Sequence, residues 1–279
     1  MKIPIIYFSA SGNTKYVAQL ISAGLKYTNM DPELLPVKSS RASSLNFKKI
    51  EVFGIGAPIY AMAFTPNMVK FIEGMPISKN NAHFFLFDTN AGLPGEAIKH
   101  IRQILEKKQY KFIGALEIIS PTRDSVFETN MFKYVKWSKK NIDKCFQFGV
   151  KIGDIIKKGK GTIDWSRQTF LGGLIRSFFK VFENSFYKLV CTQIGFDASK
   201  CERCKACEAI CPTNAIDYKE SPLFDETKCM GCFSCLRNCP TQALYFKLMP
   251  KVKYFKGPKT VNGYIPAEDV LKKYSSKTS

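Results

Sequence analysis

The chain has 279 residues, 45% of them hydrophobic, and a formal net charge of +19. This apolar content supports a packed core, which excludes the disordered class, and the length suggests about two domains. The opening residues lack the apolar run and cleavage site of a signal peptide, and no stretch of about 18 or more uncharged apolar residues occurs, so we expect a cytoplasmic protein.

The positive charge is unevenly distributed along the chain. Residues 1–119 carry +6, residues 120–200 carry +8, residues 201–244 carry −1 and residues 245–279 carry +6. Such a field would attract an acidic protein, an anionic membrane surface or nucleic acid. The alternative is a solvated lysine-rich surface with no partner.

The first predicted strand ends in a hydroxyl-rich loop. Ile3–Phe8 is a nearly continuous apolar run, as in a buried parallel strand, and a helical pattern follows from Tyr16 to Leu25. The unpaired N–H groups of such a helix start can bind a phosphate, with Ser9, Ser11 and Thr14 as hydroxyl donors. Alternatively, Ser and Asn here are ordinary helix caps.

Further strands and helices alternate after this loop. We predict a weaker strand near residues 34–37 and stronger strands at 51–60, 83–88 and 111–119, with helices beginning near Pro66 and spanning about residues 94–108. This βαβ alternation predicts an α/β fold, a doubly wound parallel five-stranded sheet with helices on both faces.

Residues 1–120 resemble a flavodoxin domain. The match is the phosphate loop of the form hydroxyl-x-hydroxyl-Gly-Asn-Thr directly after the first strand. The resemblance implies that FMN binds at the carboxyl ends of the strands. It places the phosphate on Ser9, Ala10, Ser11, Gly12, Asn13 and Thr14, and the isoalloxazine ring between two loops, Pro58, Ile59, Tyr60, Ala61 and Thr89, Asn90, Ala91, Gly92.

Residues 121–194 are predicted to be a basic helical linker. Lys133–Lys160 is rich in lysine with apolar residues at helical spacing, and Gly159 is expected to end that helix. A second basic amphipathic pattern spans residues 171–190. Its apolar face could pack between two domains, which we favour, or residues 165–190 could contact a membrane surface.

Eight of the ten cysteines form two copies of one motif. Each copy has the spacing C-x2-C-x2-C-x3-C followed by proline, and the copies are 28 positions apart. Structural zinc usually takes two C-x2-C pairs, and disulfide frameworks belong to small secreted domains. We therefore interpret these cysteines as ligands of two 4Fe-4S clusters.

In such motifs the fourth cysteine of each run binds the other cluster. This rule assigns one cluster to Cys201, Cys204, Cys207 and Cys239, and the second to Cys229, Cys232, Cys235 and Cys211. Residues 195–248 resemble bacterial-type two-cluster ferredoxins, which implies a small α+β domain. A basic tail, residues 249–279, follows with a predicted short helix at 267–274.

Other candidate sites are set aside. His83 lies in an apolar strand and His100 on a helix face, so both are interpreted as structural. Cys145 and Cys191 are surplus to two clusters and are expected to be buried thiols. Gly54 and Gly56 lack the third glycine of a dinucleotide fingerprint, so no nicotinamide site is predicted.

Together these features resemble flavodoxin-ferredoxin fusion proteins. The sequence predicts that electrons pass between a low-potential protein donor, two 4Fe-4S clusters and FMN. The partner is expected to be an acidic redox protein, either a ferredoxin-like donor or a reductase, and no nucleic acid is expected. Two alternatives stay open at this point: a flavin-dependent reductase of a small acceptor such as a quinone, flavin or corrinoid, and a nucleic-acid or membrane protein with structural clusters.

Overall fold

The computed structural model describes residues 1–92, 94–121, 136–163, 188–248 and 257–276. The amphipathic pattern at residues 171–190, including the proposed membrane contact, lies almost entirely outside this part. Among the described residues, no helix is long and apolar enough to cross a membrane.

A parallel sheet forms the centre of the N-terminal region. Its strands lie in the order β2-β1-β3-β5-β6, and the two-residue β4 pairs antiparallel with the end of β3. The five-stranded parallel sheet predicted from the sequence is confirmed. The strands are β1 (Lys2–Tyr7), β2 (Asp31–Pro36), β3 (Val52–Tyr60), β4 (Ala63–Phe64), β5 (His83–Asn90) and β6 (Lys111–Ile119).

Helices cover both faces of this sheet. They are α1 (Asn13–Tyr27), α2 (Ser40–Ser43), α3 (Pro66–Glu73), α4 (Ala97–Lys107) and α5 (Lys139–Lys158). Because side chains alternate along a strand, Ile3 and Ile5 of β1 belong to a hydrophobic cluster with α1 and α5. Ile6 belongs to the cluster on the opposite face, which contains α3 and α4.

The predicted lysine-rich helix packs on the sheet domain. Ser138 caps α5 by accepting a hydrogen bond from the Asn141 N–H at 3.1 Å, and Gly159 ends the helix in a left-handed conformation, as predicted. Apolar residues of α5, including Phe146, join the cluster around α1. α5 therefore packs as a layer on the sheet, although the sequence predicts a linker from residue 121.

The C-terminal region contains a small α+β unit followed by a helix. The unit has two antiparallel strand pairs, β7 with β10 and β8 with β9, and two short helices that lie within the cysteine runs. The elements are β7 (Ile194–Phe196), α6 (Ala206–Ile210), β8 (Ile216–Tyr218), β9 (Pro222–Phe224), α7 (Ser234–Asn238), β10 (Leu244–Phe246) and α8 (Ala267–Ser275). Helix α8, predicted at 267–274, returns to pack against α1.

Candidate functional site

The loop between β1 and α1 presents an uncapped helix start. The residue before α1 is Gly12, in a left-handed conformation with φ of 92°, and no described side chain caps the helix. Gly12 instead donates its own N–H to Ser9 Oγ at 3.1 Å. The alternative in which Ser or Asn caps α1 is therefore wrong, and the first N–H groups of the helix remain available for an anion.

Asn13 and Thr14 join this loop to neighbouring loops. Both are buried, and the hydroxyls of Thr14 and Thr89 share a hydrogen bond of 2.8 Å. Asn13 Nδ2 donates to the backbone carbonyl of Pro121 at 2.5 Å. The loops after β1, β5 and β6 are thereby held together at the carboxyl edge of the sheet, with Thr14 bonded to protein rather than pointing into open space.

The loop after β3 is a tight hairpin. Ala61 and Met62 connect β3 to β4, and both have positive φ, at 46° and 62°. Non-glycine residues rarely adopt this conformation, and when they do it is often beside a functional site. A Cβ added at Gly95 would lie 2.9 Å from the Cβ of Met62, so this hairpin meets the loop after β5. The sequence analysis stopped at Ala61 and missed Met62.

The loop after β5 is ordered by Asn90. Its Nδ2 donates to Asp88 Oδ1 at 2.7 Å, and its Oδ1 accepts the Gly92 N–H at 2.9 Å. A Cβ added at Gly92 would meet no atom within 4 Å, so there is open space beside this loop. The predicted ring-binding loops thus lie at the ends of adjacent strands, with room next to them.

Four cysteines surround one cavity in the C-terminal unit. Cys201, Cys204, Cys207 and Cys239 all line it, so the last cysteine of the second run joins the first three of the first run. Burial raises the pKa of the Cys207 thiol, and the nearby sulfurs of Cys239 and Cys204 also raise it. We call this set the first thiol site.

The remaining four cysteines form the second thiol site, Cys211, Cys229, Cys232 and Cys235. Burial raises the pKa of the Cys235 thiol, and the nearby sulfurs of Cys232, Cys229 and Cys211 raise it further. A hydrogen bond that Cys229 donates to the buried Cys191 raises the pKa of Cys229, and burial raises it further. Cys211 of the first run thus lies near Cys235 of the second, and Cys191 is a further neighbour of Cys229; the crossed ligand sets stay a prediction.

The backbone repeats around the two sites. Residues with φ between 52° and 62° occur in pairs 28 positions apart: Arg203 and Gly231, Lys205 and Phe233, Asn214 and Gln242. The Ala215 N–H donates to Cys211 Sγ at 3.1 Å, and the Ala243 N–H donates to Cys239 Sγ at 3.2 Å. Hydrogen bonds of this kind stabilise charge on thiolate ligands.

An aspartate orders the entry to each cysteine run, which the sequence analysis missed. Asp197 accepts hydrogen bonds from the N–H and hydroxyl of Ser199 and pairs with Lys200 at 2.8 Å. Asp225 does the same with Thr227 and with Lys228 at 2.7 Å. The repeated pattern Asp-x-Ser/Thr-Lys-Cys was the signal that could have revealed them.

The second thiol site lies against the sheet domain. Met230, between two of its cysteines, is only 3% exposed and belongs to the hydrophobic cluster of Phe64 and Met68. Cys232 packs against the same cluster, as do Ala10, Ile59 and Tyr60 of the loops described above. The thiol site therefore shares a packed surface with two of the loops that the sequence assigned to a flavin.

Sequence comparison with protein families gives two matches. The family described as "Flavodoxin domain" matches residues 4–145, just over half of the chain. The chain belongs to the flavodoxin family. A "4Fe-4S dicluster domain" matches residues 200–243, so a flavodoxin domain and an iron-sulfur domain are joined in one chain, as predicted. No curated protein matches the chain.

Several solved structures are similar to the flavodoxin domain. A flavodoxin from the domain Archaea is 19% identical with a TM-score of 0.43, and the match covers 56% of this chain and 99% of that one. A Streptococcus pneumonia flavodoxin is 12% identical with a TM-score of 0.42, covering 55% and 99%. The flavodiiron protein from Giardia intestinalis is 14% identical with a TM-score of 0.40, covering 55% and 35%.

The residues present fit the cofactors that these two domains imply. The uncapped start of α1 suits the phosphate of FMN, and the loops of β3 and β5 leave room beside Gly92. Each thiol site offers four clustered cysteines with amide donors to sulfur, the donor set of a 4Fe-4S cluster. The chain is an electron-transfer protein of the FMN and iron-sulfur type.

Proposed function

We propose that the protein relays electrons between an external one-electron carrier protein and FMN, through two 4Fe-4S clusters held at the first and second thiol sites. The observation that carries this proposal is the packing of Met230 and Cys232 on the hydrophobic cluster of the flavodoxin domain. This packing supports a relay in which the cluster at the second thiol site is the one that exchanges electrons with the flavin.

The exposure of the cysteines supports the same order. Cys204 of the first thiol site is exposed, whereas Cys211 and Cys235 of the second are buried. An external carrier can therefore approach the first site through the Cys204 edge. When bound, the clusters exchange single electrons and FMN accepts one or two, so the chain could convert between the two modes.

We also propose that the carrier is acidic. The cluster domain is nearly neutral, but the rest of the chain is strongly basic, and a field of this sign speeds the approach of an acidic protein. The rate of cluster reduction by an acidic carrier should then fall as ionic strength rises. A rate that is independent of salt contradicts this part of the proposal.

The relay is tested by substitution of Met230. Met230→Asp would bury a carboxylate in an apolar contact, which is costly enough to separate the two domains at this point. Met230→Leu keeps the volume and apolarity and is the matched control. Both variants should retain iron and FMN.

The measured quantity is the rate of flavin reduction by a reduced ferredoxin under anaerobic conditions. The proposal predicts that the rate falls at least about tenfold in Met230→Asp, which corresponds to about 1.4 kcal/mol. The rate should change less than about threefold in Met230→Leu. Equal rates in Met230→Asp and the wild type would show that electrons do not reach the flavin across this contact.

A further inference from the structure

The C-terminal segment crosses the phosphate loop of the flavodoxin domain. A Cβ added at Gly12 would lie 2.8 Å from Cδ of Pro258, and one added at Gly257 would lie 3.5 Å from the carbonyl oxygen of Ser11. The turn Pro258–Thr260 therefore rests on the residue that precedes α1. More than 240 residues of sequence separate the two partners in this contact.

Tyr16, in the first turns of α1, holds the segment that follows this turn. Its hydroxyl donates to the carbonyl of Ile265 at 2.5 Å and accepts the Ile265 N–H at 3.3 Å. The centroid of the Tyr16 ring lies 4.6 Å from that of the Tyr264 ring. Trp137 packs edge-on against the Tyr16 ring, with centroids 4.8 Å apart. Tyr16 is 1% exposed, so these contacts are shielded from water.

Two further contacts fix the segment on the flavodoxin domain. A Cβ at Gly263, which has a φ of 84°, would collide with the backbone carbonyl of Trp137. In α8, the ring of Tyr274 stacks on Phe146 of α5 at 4.3 Å, and Val270 is 3% exposed. The segment is therefore anchored beyond the point at which it crosses the phosphate loop.

We propose that residues 257–265 form a strap that closes the phosphate end of the flavin site and retains bound FMN. The proposal rests on the FMN site described above and adds residues outside the family match, which ends at residue 145. Because the phosphate is held at the start of α1, its release requires the strap to lift. The rate of release is then set by the population of the lifted strap.

The test is the rate and affinity of FMN binding to full-length variants, followed by flavin fluorescence. Tyr16→Phe removes both hydrogen bonds to Ile265 and keeps the ring contacts. Gly263→Ala pushes the strap away from Trp137 without touching the phosphate loop. Each should accelerate FMN release about fivefold to tenfold, because the strap is then less firmly anchored.

Matched controls separate the strap from general loss of stability. Tyr110→Phe removes a comparable bond, from the hydroxyl to the carbonyl of Pro76 at 2.9 Å, at the amino end of β6. Gly159→Ala introduces a side chain at a positive φ of 65°, in open space at the end of α5. Both controls should release FMN at the wild-type rate.

Riboflavin, which lacks the phosphate, is the second probe. The strap predicts that Tyr16→Phe and Gly263→Ala change riboflavin affinity less than about twofold while they weaken FMN binding. Equal losses for both flavins, or no loss for either, would overturn the strap. A wild-type chain that binds no FMN would overturn the flavin site and the strap together, whereas a wild type that binds FMN with unchanged variants overturns the strap alone.

Discussion

Lys38 Nζ donates hydrogen bonds to Oδ1 of Asn214 at 2.9 Å and to the carbonyl of Cys211, a member of the second thiol site, at 2.5 Å. Lys38 follows β2 of the flavodoxin domain, where the Val37 N–H still donates to the carbonyl of Tyr7 at 2.8 Å. This side chain therefore ties the carboxyl edge of the sheet to the cluster domain.

Removal of this tie should slow electron transfer between the domains. Two hydrogen bonds of about 0.5–1.5 kcal/mol each hold Lys38, so Lys38→Met should reduce the rate of flavin reduction through the clusters by about fivefold or more. Lys108 donates to the carbonyls of Glu73 and Met75 within the flavodoxin domain and provides the control, Lys108→Met. Stopped-flow absorbance measures both, and equal slowing in both variants would refute a specific role for Lys38.

Single cysteine substitutions should sort into two classes. Cys207→Ala and Cys239→Ala should each lose the first cluster, and Cys211→Ala should lose the second, so that each variant retains about four of the eight irons of two 4Fe-4S clusters. Cys145→Ala, in the core of the flavodoxin domain, should retain all of them. Iron analysis gives the count, and electron paramagnetic resonance identifies the remaining cluster. If Cys239→Ala retained the cluster that Cys207→Ala loses, the crossed assignment would be wrong.

Tyr218 should tune the first cluster. Its hydroxyl lies 3.2 Å from Cys201 Sγ, and since a ligating thiolate has no proton, the hydroxyl is the donor. Donors to cluster sulfur stabilise the more negative reduced form and raise the reduction potential. Tyr218→Phe should therefore lower the potential of the first cluster and leave the second unchanged in a redox titration. The equivalent position in the second copy, Phe246, is already phenylalanine.

The paired aspartates predict a simple pH dependence. Hydrogen bonds from their lysine partners, Lys200 and Lys228, and from Ser199 and Thr227 lower the pKa of Asp197 and Asp225 from 3.8 to about 2. A carboxyl group whose pKa is lower in the folded than in the unfolded chain stabilises the fold at any pH above its unfolded pKa. This stabilisation is lost as the pH falls through the folded pKa.

The double variant Asp197→Asn with Asp225→Asn should accordingly unfold at a lower temperature than the wild type. The difference between the two unfolding temperatures should be the same at pH 7 and at pH 5. That difference should shrink only below about pH 4. Asp217→Asn, which removes a 3.8 Å ion pair with Lys219 in the same domain, is the control. A difference that already shrinks between pH 7 and pH 5 would contradict the account.

The parts of the site that could be predicted are encoded within short stretches of sequence. The two cysteine runs are recognised from their local spacing, and the loop from Ser9 to Thr14 is recognised because it joins a strand to a helix. The sheet could also be predicted, because the buried central strands are nearly continuous apolar runs that alternate with helical patterns. Local patterns of this kind do not depend on what the rest of the chain does.

The contacts between domains could not be predicted in this way. Met230 lies between two cysteines of the second run, and nothing in its sequence neighbours indicates burial against Phe64 and Met68. Pro258 and Gly12 meet although more than 240 residues of sequence separate them, through packing of the C-terminal segment and α8 on α1. The apolar pattern of α5 predicted a helix but not its partner, because periodicity shows which face is buried and not against what.

The most direct test of the relay is the kinetic order of electron transfer from the clusters to the flavin. The clusters of the fully loaded protein would be reduced by a short pulse of reductant under anaerobic conditions, and the flavin absorbance followed over a tenfold range of protein concentration. The packing of Met230 and Cys232 on the flavodoxin domain predicts a first-order transfer whose observed rate constant does not depend on protein concentration. An observed rate constant that rises in proportion to protein concentration, or clusters that stay reduced beside an oxidised flavin, would contradict it.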